Sequence, residues 1–469
     1  MADSNFERMN ALMNAGNEAR LRARSNDILA TMAVNEIAAG RSYDEQAKQT
    51  RPMEKTAHVI RSLKTPDEVR RLRDVYRPGF FLIGIASDDV QQHTYLTKEK
   101  GLTEDEAKLL IDRDQDEKRS YGQRTRDTFY LADVFVELTE ERYKEQLDRF
   151  LELVFGHPFK TPTRDEHAMF MAYASAARSA QLGRQVGAAV VTPEGDVVSV
   201  GHNEVPSPGG GPYWDGDAND ARDHSYKDKT DSNYVHRSRI VSSIIEGLGE
   251  MLSTKANAAR LLKKLDPTGT EEQLNKRLAS ASEVLATDGA ITDAVHSSDL
   301  KDITEYGRAV HAEMDAVLTC ARLGISVRGK QLFTTTFPCH NCTRHIIAAG
   351  VAKVTYIEPY PKSRAADLHE DAICFGLEEA QNSNKVPFVP FIGVGPRRYL
   401  DLFSSDLSTG RKVERKDQQG KAFFPKRSGR LPRVAMLPYS YLERETKLLQ
   451  EQADVLKKLQ GNHHGQVTG

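Results

Sequence analysis

The stretch that decides the fold is a pair of short motifs, HAE at 311–313 and PCHNC at 338–342. Their leading residues, His311 and Cys339, are 28 positions apart. The first motif lies in a predicted helix over 309–323, which leads to a predicted strand over 331–335. The second motif begins a predicted helix that ends at Gly350, and a strand over 354–357 follows. Two strands joined by one helix form a right-handed crossover, which predicts a parallel pair.

The residue types in the two motifs are those of a zinc site. Cys339 and Cys342 are spaced to bring both sulfurs to one point, and a helix N-terminus favours the thiolates that a metal needs. His311 supplies a neutral nitrogen, while His340 and His345 point away from the cysteine face. Three protein ligands leave one tetrahedral position for water, as in catalytic zinc sites. The sequence therefore predicts one catalytic Zn²⁺.

Glu313 completes the pattern because it lies two residues after His311. There it can take a proton from a zinc-activated water without binding the metal, a role that contributes about 10²- to 10⁴-fold to the rate. An H-x-E motif followed by P-C-x-x-C is the signature of zinc-dependent nucleobase deaminases. Each half alone has many structural uses, but their joint presence predicts hydrolytic attack at C4 of a cytosine ring. The other cysteines, Cys320 and Cys374, are expected to be buried as small hydrophobic residues.

Composition limits the remaining possibilities. The 469 residues predict about three domains, and 39% hydrophobic residues with 32 glycines are ordinary for a soluble globular chain. A net charge of −2 argues against a globally basic nucleic-acid binder, and four cysteines exclude a disulfide framework. The sequence contains no apolar run long enough to span a membrane and no signal peptide, so we expect a cytoplasmic protein.

The rest of the chain divides around this centre. Before it, helical patterns over 17–39 and 103–126 alternate with apolar strands over 80–86 and 134–138, which predicts a doubly wound α/β unit. A helix over 165–182 then precedes a hairpin of two strands, 186–191 and 197–200. A helical insertion follows, and after about residue 410 a basic segment leads into a polar helix over 441–459.

Longer strings resemble a known family. HAEMDAV (311–317), TTFPCHNCTRHIIAAGV (335–351) and RQVGAAVV (184–191) with VVSVGHNEVP (197–206) resemble the deoxycytidylate deaminase branch of the cytidine deaminase superfamily. GHNEVPSPGGGPYW (201–214) and IEPYPKSRAADLHEDAI (357–373) resemble bacterial anti-phage deoxycytidine-nucleotide deaminases, which pair a kinase-like N-terminal domain with a deaminase domain and deplete dCTP. The resemblance covers about residues 7–400.

The resemblance implies roles for particular residues. His311, Cys339 and Cys342 match the zinc ligands, Glu313 matches the proton shuttle, and Asn203 matches the asparagine that contacts the sugar. Thr336 and Phe337 are expected to line the base pocket, although Phe337 could equally belong to the core. Candidate phosphate contacts are Arg184, Lys362 and Arg364. For the last two, a solvated charged loop is an equally good interpretation.

The resemblance also implies the domain plan. We expect a P-loop-kinase-like α/β domain over 1–155, a three-layer deaminase fold with a mixed sheet flanked by helices over 160–400, and a basic tail with a polar helix over 401–469. The deaminase domain would carry a helical insertion at 225–305. The sequence has no G-x-x-x-x-G-K-[ST] motif, so we expect an incomplete first domain, in assembly or regulation, without kinase activity.

Three functional hypotheses follow. The first is zinc-dependent deamination of dCTP or dCMP, either depleting dCTP in anti-phage defence or serving ordinary pyrimidine metabolism. The second is deamination of cytosine in single-stranded nucleic acid, for which the basic segment is the main support. We do not expect nucleic acid as a partner, because aromatic side chains on which bases could stack are few in that segment. The third is a scaffold with a structural zinc, which the presence of Glu313 disfavours. The resemblance also implies a homo-oligomer and allows a phage-derived activator.

Overall fold

The structure is a computed structural model, and it describes most of the chain. Described are residues 4–46, 48–86, 89–115, 117, 121–138, 142–253, 270–298, 300, 303, 305–359, 363–376, 380–406, 411–426, 430, 432–434 and 438–460. The strands are β1 (Tyr43–Asp44), β2 (Gln49–Thr50), β3 (Ile83–Ala86), β4 (Val134–Glu137), β5 (Gly187–Val191), β6 (Val197–His202), β7 (Gln331–Thr336), β8 (Lys353–Glu358), β9 (Ile373–Cys374), β10 (Val386–Pro390) and β11 (Gly393–Val394).

The helices are distributed along the whole described chain. They are α1 (Asn5–Ala23), α2 (Ile28–Ala39), α3 (Pro66–Tyr76), α4 (Asp89–Thr94), α5 (Glu104–Gln115), α6 (Thr125–Phe129), α7 (Arg142–Val154), α8 (Arg164–Ala176), α9 (Ser232–Ser253), α10 (Glu271–Thr287), α11 (Gly289–His296), α12 (Ala312–Arg322), α13 (His340–Ala348), α14 (Ala365–Leu368), α15 (Tyr399–Phe403), α16 (Pro438–Glu451) and α17 (Ala453–Gln460). Within the described residues, no helix is both long and apolar enough to cross a membrane.

The largest sheet is six-stranded, in the order β6-β5-β7-β8-β10-β9. The predicted hairpin is confirmed as the antiparallel pair β5 and β6. Gly195 in its turn has a φ of +101°, a conformation that favours glycine. The predicted parallel crossover is confirmed between β7 and β8, where Leu332 pairs with Val354. Because β5 is antiparallel to β7, the sheet is mixed, as expected.

Helices cover both faces of this sheet. Along β5, Ala188 and Val190 pack in the cluster of α12 and α13, whereas Ala189 and Val191 pack in the cluster of α8. The period of two in a strand produces this alternation, and a strand buried on both faces is apolar throughout. Gly201 permits close approach, since a Cβ there would lie 2.3 Å from the Ala312 carbonyl oxygen. The predicted three-layer architecture is therefore present.

The N-terminal strands form a second sheet of three strands, in the order β11-β4-β3. β3 and β4 are parallel, as predicted. The third strand, β11, pairs antiparallel with β4, and in the chain it directly follows β10 of the six-stranded sheet. Phe135 of β4 packs in one cluster with Ala168, Met169 and Phe391. The first 155 residues and the region over 160–400 thus share a hydrophobic core, and the kinase-like nature of the first region remains a prediction.

Two of the predicted long helices are interrupted. The pattern over 17–39 is two helices, α1 and α2, because Arg24 ends α1 with a left-handed φ of +51°. The pattern over 103–126 is also two helices, α5 and α6. The helix predicted over 165–182 ends at Ala176. Apolar periodicity does not mark the first of these boundaries, although α1 packs with α5 and α2 packs with α3 in separate hydrophobic clusters.

The C-terminal segment is folded onto the body of the protein. Helix α16 packs with α2 and α3, and its Leu448 lies in the cluster of Ala30, Val34 and Leu72. Arg433, one of the basic residues of the predicted tail, is buried and donates to the carbonyl oxygens of Asp401 and Arg411. Arg433 and α16 thus pack against the rest of the protein, whereas most residues of 411–426 are exposed. Ion pairs with a buried carboxylate join distant parts of the chain, among them Arg20–Glu68, Arg41–Glu445 and Arg398–Asp133.

The predicted insertion is helical. Helices α9, α10 and α11 lie between the hairpin and α12, within the predicted limits of 225–305. The chain returns from the insertion through Val310, whose N–H donates to the Glu204 carbonyl oxygen and whose own carbonyl accepts from the Glu204 N–H. This two-residue bridge sets the position of His311, the first residue of the HAE motif.

Candidate metal and active site

The predicted metal ligands meet in space. Ligand atoms of His311, Cys339 and Cys342 all lie within 4.8 Å of one another. His311 Nδ1 is 3.3 Å from the Cys339 Sγ and 3.4 Å from the Cys342 Sγ. Both cysteines are buried and have no disulfide. One atom could therefore contact all three donors.

Two helix N-termini create this arrangement. His311 is the N-cap residue of α12, and Cys339 is the N-cap residue of α13. Cys342 lies one turn inside α13, so the x₂ spacing places both sulfurs over the same helix end. The positive ends of both helices point at the site and stabilise thiolates there.

The donor set fits zinc. Tetrahedral coordination with zinc bonds of about 2.0 to 2.3 Å places neighbouring donors about 3.5 Å apart, close to the two nitrogen–sulfur distances. Imidazole with two thiolates is also a donor set that zinc prefers. Within the described part of the chain, the cluster consists of three ligands. His340 is instead 3.3 Å from the Glu305 carboxylate, and His345 contacts the Asn341 carbonyl oxygen. A fourth position is thus left for a non-protein ligand.

Protons are shared unequally among the ligands without a metal. A hydrogen bond from Cys342 and the neighbouring His311 lower the pKa of the Cys339 thiol to about 4. The hydrogen bond to Cys339 raises the pKa of His311 to about 9. Because Cys339 carries the negative charge, the pKa of Cys342 is raised, with burial adding to the effect. Binding of a metal must displace these protons, so affinity for it increases as the pH rises.

Glu313 lies beside the ligands but is not one of them. It belongs to the first turn of α12, is only 4% exposed, and its Oε2 is 3.5 Å from the Cys342 Sγ. Burial, together with the negative charge of Cys339, raises the pKa of the Glu313 carboxyl to about 7. A carboxyl with such a pKa can both accept and return a proton near neutrality.

Residues 162–358 match the family model described as the cytidine and deoxycytidylate deaminase zinc-binding region. This region belongs to the cytidine/deoxycytidylate deaminase superfamily. The match spans the hairpin, the insertion, both motifs and β8, and the family is zinc-binding, so the His311, Cys339 and Cys342 cluster is where the deaminase region can hold one metal.

Curated relatives match a smaller part of the deaminase region. ComE operon protein 2 of Bacillus subtilis is 37% identical over 88 residues, which are 18% of this chain and 47% of that protein. The deoxycytidylate deaminase of enterobacteria phage T4 is 38% identical over 55 residues, 12% of this chain and 28% of that protein. The chain thus spans about half or less of the length of these relatives.

A solved structure is also similar to the deaminase region. It is the dCMP deaminase from the cyanophage S-TIM5 in complex with dCMP and dUMP, at 18% identity and a TM-score of 0.26. The alignment covers 50% of this chain and 99% of that chain.

Asn203, the predicted sugar contact, holds a loop in place. It directly follows β6, and its Oδ1 accepts from the Val186 N–H at 2.7 Å while its Nδ2 donates to the Arg184 carbonyl oxygen at 2.7 Å. The side chain therefore fixes the backbone of 184–186 where β5 begins. The contact with a sugar remains a prediction, and these two hydrogen bonds give Asn203 a structural role beside it.

Arg184 and Thr336 are brought together by Glu358, which sequence reasoning did not single out. The Glu358 carboxylate binds the Arg184 guanidinium through Oε1 and lies 3.4 Å from the Thr336 hydroxyl through Oε2. Glu358 is the last residue of β8, and Thr336 is the last residue of the neighbouring β7. A signal existed in the sequence, because polar residues at the carboxyl ends of parallel strands commonly form ligand sites.

Phe337 belongs to the hydrophobic core. Its ring packs edge-on against Tyr356, with centroids 4.9 Å apart, and it also contacts the rings of Phe375 and Phe388. It is buried in the same cluster as Cys339 and Cys342. Of the two interpretations that the sequence allows, the core is the one these contacts support.

Of the two other candidate phosphate contacts, the structure describes Arg364 but not Lys362. Arg364 is exposed and lies 3.5 Å from the exposed Asp367 carboxylate. Lys362 lies outside the described residues. The loop is nevertheless tied to the metal site, because the Ser363 hydroxyl donates to the Pro338 carbonyl oxygen at 2.8 Å, one residue before Cys339.

The remaining cysteines, Cys320 and Cys374, are buried and do not belong to the metal-binding group of His311, Cys339 and Cys342. Cys320 packs in the core of α12, and its Sγ lies 3.2 Å from the Ser199 hydroxyl. Cys374 is buried in β9. Neither belongs to the metal-binding group found among the described residues, which agrees with their expected role as small hydrophobic residues.

Proposed function

We propose that this protein catalyses zinc-dependent hydrolytic deamination of deoxycytidine nucleotides, with dCMP as the first substrate to test. The observation that carries the proposal is the buried Glu313 carboxyl beside the His311, Cys339 and Cys342 cluster, within a region of the deaminase superfamily. The relatives named deoxycytidylate deaminase support the nucleotide as the substrate class.

In this mechanism His311, Cys339 and Cys342 would hold the zinc ion. Zinc, when bound, supplies a Lewis acid that lowers the pKa of water to about 7. Glu313 would accept a proton from the attacking water and deliver it to the ring nitrogen next to C4. It would then help the amino group leave as ammonia. Burial of Glu313 raises the pKa of its carboxyl in the metal-free protein, which supports a carboxyl that can hold a proton as well as accept one.

Other residues of the chain would orient the nucleotide. Asn203 follows β6 and Thr336 ends β7, and in this proposal Asn203 would contact the sugar and Thr336 the base. The core position of Phe337 behind the cysteines would keep water away from the ring. Exclusion of water strengthens the electrostatic effect of the buried Glu313.

The proposal extends to dCTP and to defence against phage. The extension rests on the resemblance of 201–214 and 357–373 to anti-phage deaminases that deplete dCTP. Expression in cells infected by phage should lower dCTP and raise deoxyuridine nucleotides, whereas the Glu313→Gln protein should leave both unchanged. Ordinary pyrimidine metabolism is the alternative, for which uninfected cells would show the same turnover. A homo-oligomer and a phage-derived activator are further proposals.

Deamination of polynucleotides has less support. Among the described basic residues of 411–434, Arg415 and Arg430 donate to the carbonyl oxygens of Pro158 and Pro425, and Arg433 is buried. The other described basic residues of this segment are exposed, so the weaker support for this function rests on the small number of aromatic side chains on which bases could stack.

The direct test is an assay with purified, zinc-loaded protein. Substrates are dCMP, dCTP, deoxycytidine and a cytosine-containing single-stranded oligonucleotide, and uracil products are quantified. Conversion of dCMP or dCTP, lost in Glu313→Gln, is the expected result. Turnover of the oligonucleotide alone would overturn the proposal.

A further inference from the structure

Arg184 and Glu358 form an ion pair at the edge of the sheet where β8 ends and β5 begins. Arg184 lies three residues before Gly187, the first residue of β5, and Glu358 is the last residue of β8. The ion pair therefore joins residues 174 positions apart in the sequence. The two side chains differ in exposure, 57% for Arg184 and 18% for Glu358. The acid is thus the fixed partner, and the guanidinium extends from it towards solvent.

Glu358 is held from several directions. Its Oε2 lies 3.4 Å from the Thr336 hydroxyl, and its carbonyl oxygen accepts from the Phe337 N–H at 2.7 Å. Burial raises the pKa of the Glu358 carboxyl, the Arg184 charge opposes this shift, and the nearby Asp127 adds to it. A carboxylate in such surroundings gains most from a cation that stays in contact with it.

The backbone of Arg184 is held as firmly as its side chain. Asn203 donates to the Arg184 carbonyl oxygen at 2.7 Å and accepts from the Val186 N–H at 2.7 Å. Only one nitrogen, Nη1, contacts Glu358. Among the described residues no other ion pair is formed by Arg184, so the remaining N–H donors of the planar guanidinium are available for an anion.

The Arg184–Glu358 ion pair is linked to the metal cluster along the chain through Thr336. Thr336, which contacts Glu358, precedes Cys339 by three residues in the same strand-to-helix turn. A nucleotide with its base at the metal cluster needs a cation for its phosphate at the rim of the same site. Guanidinium groups bind phosphate best when their plane is fixed in advance.

We propose that Glu358 is a positioning residue that orients Arg184 to bind the 5′-phosphate, and so makes the enzyme prefer nucleotides to nucleosides. The proposal rests on the proposed function, since it assigns the phosphate subsite of the same active site. Glu358 acts through Arg184 and does not contact the reacting atoms.

The test is a double-mutant cycle measured with two substrates. Wild type, Glu358→Ala, Arg184→Ala and the double variant are assayed with dCMP and with deoxycytidine. Loss of a charge-assisted contact predicts about a tenfold rise in KM for dCMP in each single variant, with a smaller change for deoxycytidine. In the Arg184→Ala background, Glu358→Ala should add less than about twofold, because residues that act through one another are not additive.

Matched variants separate positioning from general damage. Glu194→Ala removes an exposed carboxylate from the hairpin turn and should leave the dCMP to deoxycytidine ratio unchanged. Glu358→Gln keeps the shape and a hydrogen-bond acceptor, so its KM for dCMP should fall between those of wild type and Glu358→Ala. Zinc content and thermal unfolding are measured for every variant.

Three results would overturn the proposal: equal losses for both substrates, full additivity in the double variant, or a lower KM for dCMP in Glu358→Ala. The last would mean that Glu358 competes with phosphate for Arg184. Binding of dCMP and deoxycytidine to zinc-loaded Glu313→Gln protein, with and without Glu358→Ala, gives a readout independent of turnover. If wild type deaminates neither substrate, the proposed function fails, and the inference on Glu358 is decided by whether Glu358→Ala weakens binding of dCMP selectively.

Discussion

The two sides of the candidate site are built in different ways. The metal side, formed by His311, Glu313, Cys339 and Cys342, comes from the first turns of two helices, and its ligand atoms lie within 4.8 Å of one another. The rim comes from strand ends and a loop, and its central ion pair, Arg184 with Glu358, joins residues distant in sequence.

The difference reflects the chemistry that each side would support. Proton transfer benefits from a buried carboxyl with a pKa near neutrality, which requires desolvation. Recognition of a charged phosphate requires a cation that water and the ligand can reach. We therefore expect changes on the metal side to reduce kcat, and changes at the rim to act mainly on KM.

The largest effect is expected for Glu313→Gln. The amide cannot accept the proton, so kcat should fall by about 10²- to 10⁴-fold. Zinc content, measured by mass spectrometry, should equal that of wild type, because Glu313 is not a ligand. A variant that kept kcat within threefold of wild type would place the general base elsewhere.

Cys339→Ser should act through the metal. Replacing the thiolate with a hydroxyl weakens a soft ligand, and zinc affinity should drop by at least about tenfold. Competition with a zinc-binding dye measures this affinity. Cys320→Ser is the matched control, since Cys320 is buried outside the cluster. An equal loss of zinc in both variants would contradict the assignment of the ligands.

Asn203→Ala tests the junction between the two sides. The Val186 N–H and the Arg184 carbonyl oxygen both lose a partner, which should lower the free energy of unfolding by about 1 kcal/mol, because the exposed carbonyl oxygen can bond to water instead. The KM for dCMP should rise because Arg184 is released. Urea unfolding and steady-state kinetics measure the two effects, and unchanged stability would mean that the loop does not depend on Asn203.

Arg364→Ala should have the smallest effect. Its exposed pair with Asp367 should contribute less than about 1 kcal/mol to stability. We expect the KM for dCMP to change less than about twofold, since screening by water weakens such a charge. A large rise in KM would instead support Arg364 as a phosphate contact and extend the rim beyond Arg184.

The features that could be predicted from the sequence are those whose contacts join residues close in the sequence. The β7–α13–β8 crossover and the Cys339–Cys342 pair lie within one short segment, and the metal cluster adds His311, 28 positions before Cys339. Both were predicted from the two motifs. The division of the first predicted helix at Arg24, the pairing of β11 with β4 and the docking of α16 against α2 were not. These features depend on partners hundreds of residues away or on a single backbone angle, which no local periodicity reports.

By itself, the sequence determined the donors and their local geometry: two cysteines at helical spacing, a histidine at a helix start and an acid two residues later. Local backbone geometry fixes such spacings wherever the helix forms. Only the tertiary structure decided that the acid ending β8 meets Arg184, and that the N-terminal strands share a core with α8. These contacts depend on how the strands are ordered in the sheet, and that order is set by the packing of the whole chain.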